Sequence, residues 1–225
     1  MSNLVIAIDG PAGAGKSTVA KRLAAELGLR FLDTGAMYRC LAVKCIRAGV
    51  GSDEGDKAAQ LGESMLIEFG EGDPQSVWLD GEDVTAAIRN PEIGDFASAV
   101  SVHTPVRRLM ARQQREIVQR GGVTLEGRDT TTVTAFDAPV RIFLTASLEE
   151  RARRRWEELK ARGIEKPFEE LKAEISERDH RDSTRADSPL QVAAGVHVID
   201  SDRLSVDQVV AQIVALAKAT QEDRR

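Results

Sequence analysis

Leu4 to Thr18 reads LVIAIDGPAGAGKST, and the architecture of the chain can be worked out from this one segment. The run over 4–8 is continuously aliphatic, as a strand covered on both faces requires. Next comes G-x-x-x-x-G-K-[ST], here Gly10, Pro11, Ala12, Gly13, Ala14, Gly15, Lys16, Ser17 and Thr18. A helical pattern over 16–27 follows, with Val19, Ala20, Leu23, Ala24 and Leu27 on one face and Gly28 as its stop. Strand, glycine loop and helix in this order make a cradle for phosphates. Glycines let the loop wrap closely with its N–H groups turned inward, and the positive end of the helix adds to that field. Lys16 supplies a mobile cation for the β- and γ-phosphates, and the Ser17 hydroxyl is placed to ligate Mg2+. The ligand these residues predict is a nucleoside triphosphate.

Working outward, further strands are expected at 30–32, 123–126, 140–144 and 196–199, alternating with helices. Ser147 with Glu150, and Ser205 with Gln208, fit capping boxes at helix starts. Pro105 heads a long polar helix that ends at Gly121-Gly122. Such alternation predicts an α/β three-layer fold on a parallel sheet, one domain over 1–225. The rhythm breaks at 65–69, 76–79 and the residues after Asp80-Gly81, which read as short antiparallel strands joined by turns. A small inserted subdomain is therefore expected over 61–89. The segment 147–167 is densely charged, and the tail 221–225 is expected to fray.

The chain has 225 residues, 42% hydrophobic and 30% charged, with a formal net charge of -5. A chain that grips polymeric nucleic acid normally carries a basic surface, so that partner is not expected. A small anionic ligand needs only a local cluster of arginines. The start shows no leader pattern and no segment reaches the length of a membrane span, so a cytoplasmic location is expected. Cys40 and Cys45 share one predicted helix at a spacing that suits neither a disulfide nor a metal knuckle. His103, His180 and His197 form no pattern for a metal or a triad.

Three constellations suggest a second anionic ligand: DTGAMYR (33–39), EGRD (126–129) and ERDHRDSTR (177–185). If the last is helical, Arg178, Asp182 and Arg185 fall at i, i+4 and i+7 on one face. Each also has a plain reading, respectively a helix cap, a solvated turn and a wet charged face.

Taken in order, GPAGAGKST, DTGAMYR, GEDV…IR, EGRD, DAPVRIFLTAS and RDxxDSTRAxSPL resemble the bacterial cytidylate kinases, which phosphorylate CMP and dCMP with ATP. The resemblance implies a phosphate-loop (P-loop) NTPase core with strand order 2-3-1-4-5, a CMP-binding arm holding the 61–89 insertion, a short lid over 147–167, and a monomer. It implies that Thr34, Tyr38 and Arg39 flank the acceptor, with Arg39, Arg128 and Arg185 on its 5′-phosphate. Ser98, Arg107 and Asp129 would read the cytosine edge, Arg178 and Asp182 would hold the ribose, and Arg89 would sit in the arm. Arg154, with Arg151 or Arg155, would come from the lid to the transferring phosphoryl group. Two positions depart from the family pattern: Thr131 stands where a glycine is common, and Phe136 where a proline is common. The first puts the local turn, and the reach of Asp129, in question.

Chemistry supports these roles. A carboxylate accepts from the exocyclic amine of cytosine, and arginine's planar fork matches phosphate oxygens. A nucleotide 5′-phosphate is already an anionic nucleophile, so transfer to it needs alignment and charge neutralisation rather than a general base. The sequence alone leaves open two rivals: another small-molecule P-loop kinase, such as one for shikimate, and a non-catalytic nucleotide sensor.

Overall fold

The computed structural model describes residues 3–222. Its elements run β1 (Val5–Asp9), α1 (Lys16–Leu27), β2 (Arg30–Asp33), α2 (Thr34–Arg47), α3 (Gly55–Glu63), β3 (Ile67–Phe69), β4 (Val77–Leu79) and β5 (Glu82–Asp83). They continue α4 (Pro91–Val100), α5 (Thr104–Gln119), β6 (Val123–Gly127), β7 (Val140–Thr145), α6 (Leu148–Ala161), α7 (Phe168–Thr184), β8 (His197–Asp200) and α8 (Val206–Glu222).

Five strands form one sheet in the order β2-β6-β1-β7-β8, which is the expected 2-3-1-4-5. β1 pairs in parallel with both β6 and β7, setting Ile8 level with Glu126 on one side and Ile142 on the other. Every residue of β1 is buried, which is why its sequence is apolar without alternation. A second sheet, β3-β4-β5, is antiparallel, with Glu68 opposite Trp78.

The chain divides into two units. The first holds the described residues up to Phe31 and from Val118 onward. In it Ile6, Ile8, Val19, Leu23, Ile142, Leu144, Val210 and Ile213 share one buried cluster, so α1 and α8 cover the same side of the sheet. A smaller cluster joins Ala12 of the glycine loop to Ala152 and Leu159 of α6 and Leu171 and Ile175 of α7. The second unit, Leu32–Ile117, contains the antiparallel sheet and α2, against which α3 and α4 pack. Cys40 and Cys45 are buried, unoxidised packing residues of α2.

Of the two expected capping boxes, Ser205 and Gln208 form one by bonding each other reciprocally. At Ser147 only half forms: Glu150 N–H donates to Ser147 Oγ at 3.2 Å, but the Ser147 N–H donates to Asp202 Oδ1 at 2.6 Å while the Glu150 carboxylate pairs with Arg153 and Arg154. The expected antiparallel strands form within 67–83, and the stretch 61–89 around them also holds the end of α3 (residues 61–63) and a single 3-10 turn, Ala87–Arg89. The helix carrying Arg178 and Asp182 stops at Thr184, leaving Arg185 extended at its end. There Leu190 N–H takes the Asp182 carbonyl at 2.8 Å, turning the chain back. At the other end of the chain, Gln221 and Glu222 are helical, and the rest of the expected frayed tail, 223–225, lies outside the described residues.

Candidate active site

The glycine loop leaves β1 through Gly10, where an added Cβ would sit 1.9 Å from the Leu144 carbonyl oxygen, so no side chain fits. Gly15 caps α1 with φ +89, in the left-handed region that favours glycine. Lys16 is buried, and its Nζ donates to the Pro11 carbonyl at 2.8 Å. Burial and then the nearby Arg128 lower its pKa to about 7, with Glu126 pulling the other way. Neighbouring Ser17 donates its hydroxyl to the buried carboxylate of Glu126.

Just before the loop, Asp9 is fully buried. It accepts four hydrogen bonds of 2.6 to 2.8 Å, from the N–H and hydroxyl of both Thr130 and Thr131. Burial pushes its carboxyl upward while those donors oppose the shift. The departure at Thr131 is thereby explained. Residues 130–134 form one turn of π-helix with no left-handed φ, and the Thr131 hydroxyl supplies a bond to Asp9 that glycine lacks.

Beside this turn the arginines gather on one carboxylate. Arg128 Nε donates to Asp182 at 2.9 Å, Arg185 Nη1 lies 3.5 Å from Asp182, and Arg185 Nη2 lies 3.7 Å from Asp129. Burial alone would raise the Asp182 pKa, but Arg128, Arg178 and Arg185 outweigh it and hold the group below the ordinary value. Burial would likewise lower Arg128, and Asp182 with Glu126 reverses the sign. Arg178 acts on both Asp182 and Lys16. EGRD and ERDHRDSTR therefore meet in one charged cluster, Arg128 and Asp182 being 54 positions apart in the chain.

Within the second unit, Asp33 caps α2 by accepting from Ala36 N–H at 2.9 Å, and it pairs with Arg39 at 2.8 Å. The Arg107 guanidinium stands 5.8 Å from the Tyr38 ring, so α5 and α2 bring these two together. Thr34, Ser98 and Arg107 are buried polar residues. Arg89 donates to the carbonyls of Thr85 and Gln75, and burial, then Arg39, lowers its pKa.

Arg151, Arg154 and Arg155, three of the four arginines of α6, differ in their partners. Arg155 pairs on the surface with Glu158 at 2.6 Å. Arg154 is held by Glu150 at 2.8 Å and by the Ser201 hydroxyl and carbonyl at 3.0 and 2.7 Å. Arg151 reaches the glycine loop, donating to the Ala12 carbonyl at 2.9 Å and pairing with Asp179. Sequence reasoning gave Asp9, Glu126 and Asp179 no role, although each lies inside or beside a quoted motif. The signal was a carboxylate at the end of a buried strand or within an arginine-rich run.

No helix of the described residues is long and apolar enough to cross a membrane. A model of the cytidylate kinase family matches residues 6–219. The chain is 44% identical over 221 residues to a cytidylate kinase of Limosilactobacillus fermentum, covering 98% of each. It is 47% identical over 218 residues to a cytidylate kinase of Solibacter usitatus, covering 96% of this chain and 93% of the relative. Among solved structures, an uncharacterized protein of Eubacterium ventriosum shares the fold, with a TM-score of 0.55 at 13% identity over 97% of this chain and 99% of that one. Since the match spans the glycine loop, EGRD and the arginine run alike, the chain belongs to the cytidylate kinase family of P-loop kinases.

Proposed function

We propose that this kinase of CMP also accepts dCMP, and that it transfers the γ-phosphoryl group of Mg-ATP in line to the acceptor's 5′-phosphate. The observation that carries this reading is the cluster of Arg128, Arg178 and Arg185 around Asp182, of which Arg128 and Arg178 lie close enough to Lys16 to add to the effect of burial on its pKa. Cations held that near one another repel, and a second phosphorylated ligand relieves the repulsion. Arg128 and Arg185 bind the 5′-phosphate; Arg178 and Asp182 bind the ribose; Asp129 accepts from the cytosine amine. Thr34, Tyr38, Arg39, Ser98 and Arg107 are proposed as further contacts to the same acceptor, and Arg89 as a weaker one.

On the donor side, N–H groups of the loop over 10–18 hold the phosphates and Lys16 neutralises them. Arg154, with Arg155, is proposed to meet the transferring phosphoryl group. The hydroxyl of Ser17 and the carboxylate of Glu126 are hard oxygen groups side by side, as Mg2+ prefers. Mg2+, when bound with ATP, supplies charge neutralisation of the phosphates. The acceptor phosphate needs no proton removed, so the protein's task is alignment, neutralisation and exclusion of water.

ADP formation from Mg-ATP with CMP, dCMP, UMP, AMP or shikimate tests the reading. CMP and dCMP are expected to lead. UMP is expected to trail, because its base offers a carbonyl where Asp129 needs a donor. ADP release that ignores the acceptor would point to a sensor, and a lead by shikimate to a different kinase.

A further inference from the structure

We propose that Asp179 and Arg151 are positioning residues that aim the peptide groups of the glycine loop at the donor nucleotide. Both polar groups of Ala12 are captured from outside the loop. Its N–H donates to Asp179 Oδ1 at 2.9 Å and its carbonyl accepts from Arg151 Nη1 at 2.9 Å. The two side chains also pair with each other, and Arg151 Nε is anchored on the Ala146 carbonyl at 3.0 Å. Arg151 is buried, and a Cβ added to Gly13 would lie 3.0 Å from its carbonyl oxygen, so the loop has no room to rotate away.

Peptide planarity turns these contacts into a statement about the loop interior. In a trans peptide the C=O and the following N–H point in opposite directions. Drawing the Ala12 N–H outward to Asp179 turns the Pro11 carbonyl inward, where it is found bonded to Lys16 Nζ at 2.8 Å. Drawing the Ala12 carbonyl outward to Arg151 turns the Gly13 N–H inward, toward the phosphates. The pair thus presets one donor and the lysine before nucleotide arrives. Asp179 lies on α7 three residues from Asp182, so the same helix steadies both the loop and the arginine cluster.

The inference rests on the loop being the ATP site, and direct ATP titration without CMP tests it. Removing a carboxylate beside a triphosphate tightens binding if charge alone acts. Loss of the clamp weakens it. In Asp179→Ala the ATP Kd is expected to rise about tenfold or more, the worth of a hydrogen bond to a charged group. Asp179→Asn, whose amide oxygen still accepts from Ala12, is expected to lie between and carries the test if the alanine variant does not fold. CMP affinity measured without ATP is expected to change by much less than ATP affinity, because Asp179 reaches Arg128 only through its charge and makes no bond to it. An ATP Kd equal to or below the parent's in both variants overturns the proposal. So does a parallel loss of ATP and CMP affinity, which would mark Asp179 as general scaffold for α7. CMP-independent ADP release by the parent chain would sink the acceptor reading and leave this one standing.

Discussion

Lys16 shows how a single residue stores binding potential. Its pKa, lowered by burial to about 7, lies below the ordinary 10.5, so between these values the unfolded chain holds more protons and stability rises with pH. A triphosphate restores the charge, so ATP binding near pH 8 is expected to take up a proton. Calorimetry in two buffers of different ionisation enthalpy reads that uptake, and identical heats in both would contradict it. Lys16→Met should lower turnover by about two orders of magnitude or more. Thermal unfolding at pH 7 should show no loss of stability, since a buried amine near like charges is removed. Glu126→Gln weakens the carboxylate beside Ser17, and the Mg2+ concentration for half-maximal rate should rise about tenfold. Lys16 and Ser17 were legible because their motif is local. Glu126 and Asp9 were not, because their partners lie 109 and about 120 residues away and only strand register brings them together.

Among the elements, the turn over 130–134 begins directly after Asp129, the residue proposed to meet the cytosine amine, and is tied to β1 through Asp9. Thr131→Val keeps its volume and deletes one donor to the buried Asp9 carboxylate. Chemical denaturation is expected to show a loss of about 1–3 kcal/mol with an unchanged slope. No loss would mean that water or another group replaces the hydroxyl. Strands of the main sheet were readable to within a residue: in β1 burial on both faces leaves an uninterrupted aliphatic run, and in β7 every second residue is buried. The end of α7 was not, because nothing local reveals that Leu190 returns to bond the Asp182 carbonyl. Neither could the three roles of the α6 arginines be separated from RARRR alone. What distinguishes them is Ala12, Ser201 and Glu158, three partners on three different elements or loops.

Over the whole molecule, a chain of net charge -5 concentrates cations at one place, where each is partly neutralised by a carboxylate rather than by solvent. Resemblance named the arginines, and the structure adds Asp182 as the group on which two of them meet. If these arginines exist to hold a phosphate, the phosphate should contribute most of the acceptor's affinity. The direct measurement is the dissociation constant of CMP against that of cytidine, in the parent chain and in Arg185→Met. In the parent, CMP is expected to bind about a hundredfold or more tighter than cytidine, as two charge-assisted contacts imply. In Arg185→Met the gap should shrink by about tenfold or more, with cytidine unchanged. A CMP affinity unaltered by Arg185→Met, or a parent chain that binds cytidine as well as CMP, would show that the cluster is not a phosphate grip.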